Sequence, residues 1–475
     1  MINRSKKNIL FLYIAEKDEI SLGIGFLSSY VRLKKWDSEL LVWNIISGPS
    51  PEGTQMVPVD DILKKIAQKA PACLCISIMS LNMPYIHTLL NRIQNYYDGP
   101  IIVGGYHVIA APEEFWNYDT VDAIIIGDGE KPLVHFLEAV SKSQDAYGIK
   151  GLWGKRGRFF SNNWRGEHWY VKNLNEYPYL DYELFHKIKQ ISKRENVFFS
   201  PAKQTLSIMP AISGRGCPYR CTYCSNSVRM SKYPNLKEYL RKYDPFTFVS
   251  YLKRYVDQYD IQFLDFLDEL FIYDKFWIKE FVTEYKKAIS LPFSAQVHLN
   301  YLDEELCSIM RECGWMLAAF GLECGDETYR KHYLKRQMSN DFIKQQVKIL
   351  QKNSIFTVSY NMMGMPHETE KTLRATIELN KKIKPDLAMH FYWQPLPNTE
   401  LTQLAIKDGL IPTFHAYNIN TICNFGSPSI LTNSELVKKY YSEFANLPFS
   451  LQSRAQDKLM ENLHQAVHRW LTTKR

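Results

Sequence analysis

The chain has 475 residues and a mass of 55.6 kDa, too long for one ordinary core, so length argues for about two to four domains. Hydrophobic residues at 45% and charged residues at 23% are the balance of a globular protein, which excludes a disordered or fibrous chain. The net charge of +8 is small for this mass and widely spread, so no nucleic-acid partner is expected. Nine cysteines, odd in number and clustered, do not form a secreted disulfide framework.

In chain order, the apolar run 9–15 is too short and too soon followed by charge to read as a signal peptide. Residues 70–91 carry no charge and could span a bilayer. Ser77, Ser80, Asn82, Pro84 and His87 break that apolarity, so the segment reads as a strand, a turn and a helix beginning near Pro84. No transmembrane helix is expected. Over residues 1–145, strands are predicted at 8–14, 39–43, 73–79, 101–103 and 123–126. Helices fall between them at 21–34, 60–69, 84–97 and 131–140. Five β-α units imply an α/β fold with a doubly wound parallel sheet, and such sheets bind ligands beyond the carboxyl ends of their strands. Small residues stand there: Ser77 and Ser80, Gly104-Gly105, and Gly127-Asp128-Gly129-Glu130. Glycines let a bulky ligand approach the backbone. Gly23-x-Gly25 is a weak nucleotide signal without the rest of G-x-G-x-x-G. Cys73 and Cys75 share one strand face and read as buried small hydrophobes.

Residues 146–204 form a connector rich in Trp, Tyr, Asn and Lys, in which 148–153 and 157–160 could pair as a hairpin. From 205 to 400 strands and helices alternate again, with strands expected at 206–212, 262–267, 293–299, 317–322, 356–362 and 387–393. The first of these leads into Gly214-Arg215-Gly216-Cys217-Pro218-Tyr219-Arg220-Cys221-Thr222-Tyr223-Cys224. Three thiolates at this spacing suit one loop around an iron–sulfur cluster. A 4Fe–4S cube held by three local thiolates keeps one iron open for another molecule. Zinc modules would show paired C-x2-C units or spaced histidines, and neither is present. An exposed, oxygen-sensitive cluster argues for a reducing cytoplasm. Residues 401–475 read as a loop and then helices at 435–445 and 454–472. Tyr440, Tyr441, His464, His468 and Trp470 there could bind something, or belong to an amphipathic helix packed on the preceding domain.

The cysteine loop, with Tyr223 as the aromatic before its last cysteine, resembles the signature of the radical S-adenosylmethionine superfamily. The resemblance implies that Cys217, Cys221 and Cys224 hold the cluster and that S-adenosylmethionine binds the open iron through its amino and carboxylate groups. It also implies a partial (β/α)6 barrel of the TIM type over 205–400, with chemistry at the carboxyl ends of its strands. Gly321-Leu322-Glu323-Cys324-Gly325 resembles the family's Gly-Ile-Glu-Ser-Gly, which assigns Gly321 and Glu323 to S-adenosylmethionine, and Tyr223 of the cysteine loop is assigned to the cofactor as well. Arg336 could pair with the carboxylate of S-adenosylmethionine or with Glu327. Asp268 and Glu269 resemble an acidic element that could bind a ribose hydroxyl or order the cluster loop, with a helix N-cap as the alternative for Asp268. Cys324 replaces serine and reads as a small structural residue. His367 replaces a glycine in Gly364-Met365-Pro366-His367-Glu368-Thr369 and narrows that loop. His390, Tyr392 and Gln394 alternate and could face the substrate.

Ser21-Leu22-Gly23-Ile24-Gly25-Phe26-Leu27, Val103-Gly104-Gly105-Tyr106-His107 with Pro112-Glu113-Glu114, and Gly127-Asp128-Gly129-Glu130 resemble the cobalamin-binding, Rossmann-like domain of one large class of these enzymes. Asp128 departs from the commoner Gly-Glu-Gly-Glu. Ser77, Gly104, Gly105, Gly127 and Gly129 are the implied cobalamin contacts. No D-x-H-x-x-G motif is present, so no lower histidine ligand is expected, and His107 reads as a polar loop residue. The class implies a cobalamin-dependent methyltransferase with a 4Fe–4S cluster, S-adenosylmethionine and cobalamin, fed by an external donor such as flavodoxin or ferredoxin. Its methyl acceptor would be an unactivated carbon or phosphorus of a small molecule or peptide. A non-methylating ring closure or rearrangement, and a cobalamin or redox sensor with a structural cluster, are the alternatives. The connector would set the corrin against the cluster, and residues 401–475 would shape substrate choice. No catalytic residue is assigned.

Overall fold

A computed structural model describes residues 7–16, 20–46, 55–186, 206–412, 434–450 and 455–473. Part of the connector, 187–204, and the stretch 413–433 therefore lie outside the described residues. Strands are β1 (Asn8–Glu16), β2 (Asp37–Ile46), β3 (Gln55–Met56), β4 (Cys73–Ser77), β5 (Ile101–Gly104), β6 (Ala123–Ile125), β7 (Leu152–Gly154) and β8 (Trp164–Arg165). They form one sheet in the order β3-β2-β1-β4-β5-β6-β7-β8. The central five are parallel, and the short β3, β7 and β8 add antiparallel edges. Strand order reverses between β1 and β4, and such a switch point opens a crevice at the strands' carboxyl ends.

Alternation along β1 explains the two layers. Ile9, Phe11 and Tyr13 pack on one face with Ile24, Phe26, Leu133 and Leu137, from the helices Leu22–Leu33 and Glu130–Ser141. Leu10, Leu12 and Ile14 pack on the other with Ile62, Leu63, Ile66, Ile86 and Leu89, from Val59–Lys69 and Met83–Arg92. A strand covered on both faces reads as an unbroken apolar run, as this one does. Cys73 and Cys75 are buried here with their sulfurs 3.9 Å apart. The expected hairpin between 148–153 and 157–160 is not formed. Instead β7 pairs with β8, which carries the strands of 146–204 onto the first sheet.

The second sheet contains β9 (Ile208–Ala211), β12 (Phe263–Phe266), β13 (Phe293–Val297), β14 (Trp315–Glu323), β15 (Phe356–Met363) and β16 (Leu387–Tyr392), all parallel and adjacent in that order. A small ribbon of β10 (Gly214–Arg215) and β11 (Arg241–Lys242) stands beside it. The concave face is lined by Ile208, Phe263, Leu317, Ala319, Val358, Leu387 and Met389. The helix Ala455–Thr473 inserts Leu459, Met460, Leu463 and Val467 among them, near the strands' starts, and closes that end of the partial barrel. Between the two sheets, the Tyr179 hydroxyl bonds to Ile212 at 3.0 Å and Tyr182 donates to the Pro210 carbonyl at 2.5 Å. Asp181 accepts from Ser28 at 2.6 Å and pairs with Arg32 at 3.0 Å. No helix among the described residues is long and apolar enough to cross a membrane.

Candidate active site

β9 delivers the chain into the three-cysteine loop, which neighbouring strand ends hold. Asp268, just past β12, accepts from the Ser213 amide at 2.9 Å and the Ser213 hydroxyl at 2.5 Å. Lys242 donates to the same hydroxyl and to the Phe271 carbonyl, each at 2.8 Å. Burial lowers the Lys242 ammonium to about 8, partly opposed by Asp268. Asp268 caps no helix, because Asp274 caps Lys275–Ala288. Glu269 accepts from the Gly216 amide at 3.3 Å and from Arg229 at 2.8 Å. Both acidic residues thus order the loop. Gly216 has φ +97°, and a Cβ there would stand 2.5 Å from the Tyr239 carbonyl oxygen, so only glycine fits this bend.

Cys221 is buried and Cys217 and Cys224 are half-buried; burial pushes the Cys217 thiol up to about 12 and Cys224 to about 11. Loading iron onto such thiols must release protons. Among the described residues no three Cys, His, Asp or Glu converge closely enough to hold a single metal ion. Thiols spread around a loop fit a polynuclear cluster, where each binds its own iron, better than a mononuclear tetrahedral zinc site.

Tyr223, Gly321, Glu323 and Arg336, far apart in sequence, meet beside this loop. The Tyr223 hydroxyl donates to Glu323 Oε1 at 2.8 Å, and Arg336 donates to the Gly321 carbonyl at 2.6 Å and lies 3.6 Å from Cys221 Sγ. Arg336 is not paired with Glu327, whose carboxylate takes the Asn340 amide instead. Burial raises the Glu323 carboxyl while Arg336 and Tyr223 pull it down, and Arg336 itself is held firmly protonated. Glu323 adopts φ +65° at a register shift in β14, and a Cβ on Gly321 would lie 2.2 Å from its carboxylate. Strained backbone at a carboxylate that folds back over a glycine is a common mark of a binding site. The buried Arg336 Nε has no hydrogen-bond partner among the described residues. Across the mouth, Tyr219 of the cysteine loop stacks on His298, with centroids 3.9 Å apart. His298 Nδ1 accepts from the Asn300 amide at 3.3 Å, which leaves its proton on the buried Nε2, unpartnered among the described residues.

The remaining expectations sort plainly. Cys324 is buried against Thr376, a small packing residue. His367, at φ +61°, bonds Asp408 at 2.8 Å and stacks on Tyr333, so it stiffens its loop. His390 and Tyr392 do not face the barrel interior. They pack outward on Tyr441 and Phe444 of the helix Ser434–Ala445, while Phe391, 43% exposed, has the inward parity of Leu387 and Met389. Gln394 lies past the end of β16.

At the first sheet's crevice, Met79 and Tyr106 are 46% and 40% exposed at the ends of β4 and β5, beside Ser77 and Gly104. Among the described residues, a Cβ on Gly104 would meet only Ile125, at 3.6 Å, so space remains above it. At Gly105 and Gly127, both with positive φ, the close approach is made by Ile78 and Trp169 backbone, and at Gly129 by Leu27. An apolar, open shelf at a switch point suits a large planar ligand such as a corrin. His107 is buried with Nδ1 2.9 Å from Ser80 and Nε2 3.3 Å from Glu114, so both ring nitrogens are engaged. Sequence reading missed Arg215, Arg229 and Arg241, which join this crevice to the cysteine loop; nearness to Cys217 and Cys224 hinted at Arg215 and Arg229, and nothing in the sequence hinted at Arg241.

A corrin-type crevice and a partial barrel with a three-thiol loop, built on one chain, define an enzyme with two cofactor-binding domains. The B12 binding domain model matches residues 14–137 and the radical SAM superfamily model residues 211–379. An uncharacterized methyltransferase of Pyrococcus horikoshii is 26% identical over 433 residues, spanning 89% of this chain and 87% of that protein. The anaerobic magnesium-protoporphyrin IX monomethyl ester cyclase of Rubrivivax gelatinosus is 22% identical over 350 residues, 72% of this chain and 59% of that one. The fold matches the radical S-adenosylmethionine methyltransferase TsrM from Kitasatospora setae, whose structure holds cobalamin and a [4Fe-4S] cluster, with TM-score 0.62 at 15% identity over 86% of this chain and 76% of that chain. The chain thus joins a B12 binding domain to a radical SAM domain, and as an enzyme it is similar to the cobalamin-dependent radical S-adenosylmethionine methyltransferases. Its cofactors are a 4Fe–4S cluster, S-adenosylmethionine and cobalamin.

Proposed function

We propose that this enzyme transfers a methyl group to an unactivated carbon, or to phosphorus, of a small-molecule or peptide substrate. The observation that carries the reading is the juxtaposition of the two sites: Tyr106, at the crevice, lies under the Arg229 guanidinium at 4.5 Å, and Arg229 stands in the last turn of the short helix Ser225–Met230 that follows Cys224. When bound, the cluster and S-adenosylmethionine supply a hydrogen-abstracting radical, and cobalamin supplies a methyl group carried on cobalt. In this reading Cys217, Cys221 and Cys224 hold iron, and Glu323, Tyr223, Gly321 and Arg336 hold S-adenosylmethionine. Ser77 and Gly104 lie beneath the corrin, with Gly105, Gly127 and Gly129 shaping the loops around it. Arg336, fixed on the Gly321 carbonyl and beside Cys221, offers its guanidinium to a carboxylate. An acidic donor such as flavodoxin or ferredoxin would supply electrons, in a reducing cytoplasm.

A ring closure or rearrangement with the same cofactors is the second reading, supported by the similarity to the cyclase. The test starts with protein purified without oxygen from cobalamin-supplied cells, assayed for corrinoid, iron and sulfide. Reduction with methyl-labelled S-adenosylmethionine follows, against candidate acceptors. Deoxyadenosine together with labelled product supports methylation. Deoxyadenosine with an unlabelled, rearranged product favours the second reading. Iron without corrinoid, even after refolding with hydroxocobalamin, rejects both.

A further inference from the structure

The cysteine loop is gripped on both sides by strand-end loops of the first sheet. On its amino side Arg215, two residues before Cys217, donates to Glu130 Oε1 at 2.6 Å, lies 3.0 Å from Asp128 Oδ2 and stacks over Phe26 at 4.8 Å. Arg241, opposite Arg215 in the β10–β11 ribbon, donates to the same Asp128 oxygen at 2.6 Å. That oxygen also takes the Val171 amide at 2.8 Å. Burial pushes the Asp128 carboxyl up, but the two arginines overrule it and hold it well below the usual carboxylate range. On its carboxyl side, Arg229 bonds Glu269 and covers Tyr106, the residue after Gly105.

The four charges of Asp128, Glu130, Arg215 and Arg241 balance, and all four side chains are at most 13% exposed. Buried charges are tolerated when each has its partner, and removing one leaves its opposite uncompensated. Among the described residues, the hydrogen bonds and ion pairs of this quartet reach neither Gly104 on the crevice floor nor Glu323. What it fixes is the segment Gly214–Arg215, from which the first cluster thiol is hung.

Building on the proposed function, we propose that Asp128 and Glu130 are positioning residues for the iron–sulfur loop, so that the corrin domain's Gly127–Glu130 turn holds Arg215 and links the two cofactor sites mechanically. The Gly-Asp-Gly-Glu segment is then a clamp on the neighbouring domain as well as a rim of its own crevice. By linkage, whatever orders one side of the clamp favours binding on the other.

The test uses the full chain, reconstituted with iron, sulfide and hydroxocobalamin, as wild type, Asp128→Asn and Glu130→Gln, with Asp128→Glu as the charge-keeping rescue and Glu39→Gln, in an exposed surface pair, as control. Glu130→Gln breaks the ion pair with Arg215 and leaves the Asp128–Arg241 bond in place, so it keeps the test alive if Asp128→Asn folds poorly. The readout is the electron paramagnetic resonance signal of the reduced cluster, titrated with S-adenosylmethionine, alongside corrinoid content. Both neutral variants are expected to keep their corrinoid, broaden the cluster signal and need about tenfold more S-adenosylmethionine to shift it, a usual size for coupled sites. Asp128→Glu is expected to recover most of the shift. Signals and titrations that superimpose on wild type, even with a lower melting temperature, would reduce the quartet to domain glue and overturn the proposal. A wild-type protein with no cluster signal at all would sink the proposed function and this inference with it.

Discussion

Glu323 concentrates the chemistry of the barrel mouth in one side chain. Its backbone is held at φ +65°, its carboxylate lies over Gly321, and its contacts are Tyr223 from the cysteine loop and the charge of Arg336. An ordinary strand end would not hold a buried carboxylate in the left-handed region, where a non-glycine residue costs about 1–3 kcal/mol. Glu323→Gln keeps the shape and the Tyr223 bond while removing the charge. Hydrogen bonds to charged groups are worth about 1.5–3 kcal/mol, so S-adenosylmethionine should bind roughly tenfold to a hundredfold more weakly, with iron content unchanged. Equilibrium dialysis with labelled S-adenosylmethionine checks this. An unaltered affinity would mean that the carboxylate serves the loop and not the ligand.

Elements were legible where a pattern admits one geometry. The apolar run of β1 read as a strand, and the cysteine spacing as one loop around a cluster. Alternation along β16 was different: it defines two faces without saying which is inward. Pairing with β15 and the helix Ser434–Ala445 decide that, and they turn His390 outward. The 148–160 hairpin failed because β7 finds a better partner in β8, several residues beyond the turn considered. The Arg215–Glu130 pair spans 85 residues, beyond any local signal. The last helix shows the same limit, since its stripe announced packing but not that it would enter the barrel. Leu463 is fully buried there beside Leu317 and Val358. Leu463→Ala should cost about 2–5 kcal/mol through lost contact and a residual cavity, whereas Glu461→Ala on the exposed face should stay within about 0.5 kcal/mol. Thermal unfolding compares the two. Equal effects would show that the helix only lies against the barrel.

At the scale of the molecule, one apolar cluster runs from β1 and the helix Leu22–Leu33, through Tyr177, Tyr179 and Tyr182, to β9 and the outer barrel helices. The two sheets are therefore packed together and not merely tethered, and the crevice is part of the same structure as the cysteine loop. Filling the crevice should then be felt as stability. A ligand that binds only the folded chain adds about 2.7 kcal/mol at a hundred times its dissociation constant. Hydroxocobalamin at that excess should raise the melting temperature of the cluster-free protein, and the rise should grow with ligand concentration. Gly104 supplies the control. A Cβ there meets only Ile125 among the described residues, so Gly104→Ala should fold normally and keep most of the shift. Gly104→Leu, whose branches must project into the crevice, should fold and lose it. A shift that persists in Gly104→Leu would place the corrin elsewhere on the sheet. Gly105→Ala, by contrast, should be destabilised with or without cobalamin, because its Cβ would stand 2.7 Å from the Ile78 carbonyl oxygen at φ +107°. Two adjacent glycines thus separate the two reasons for having one: space kept for a ligand, and space taken by the protein's own backbone.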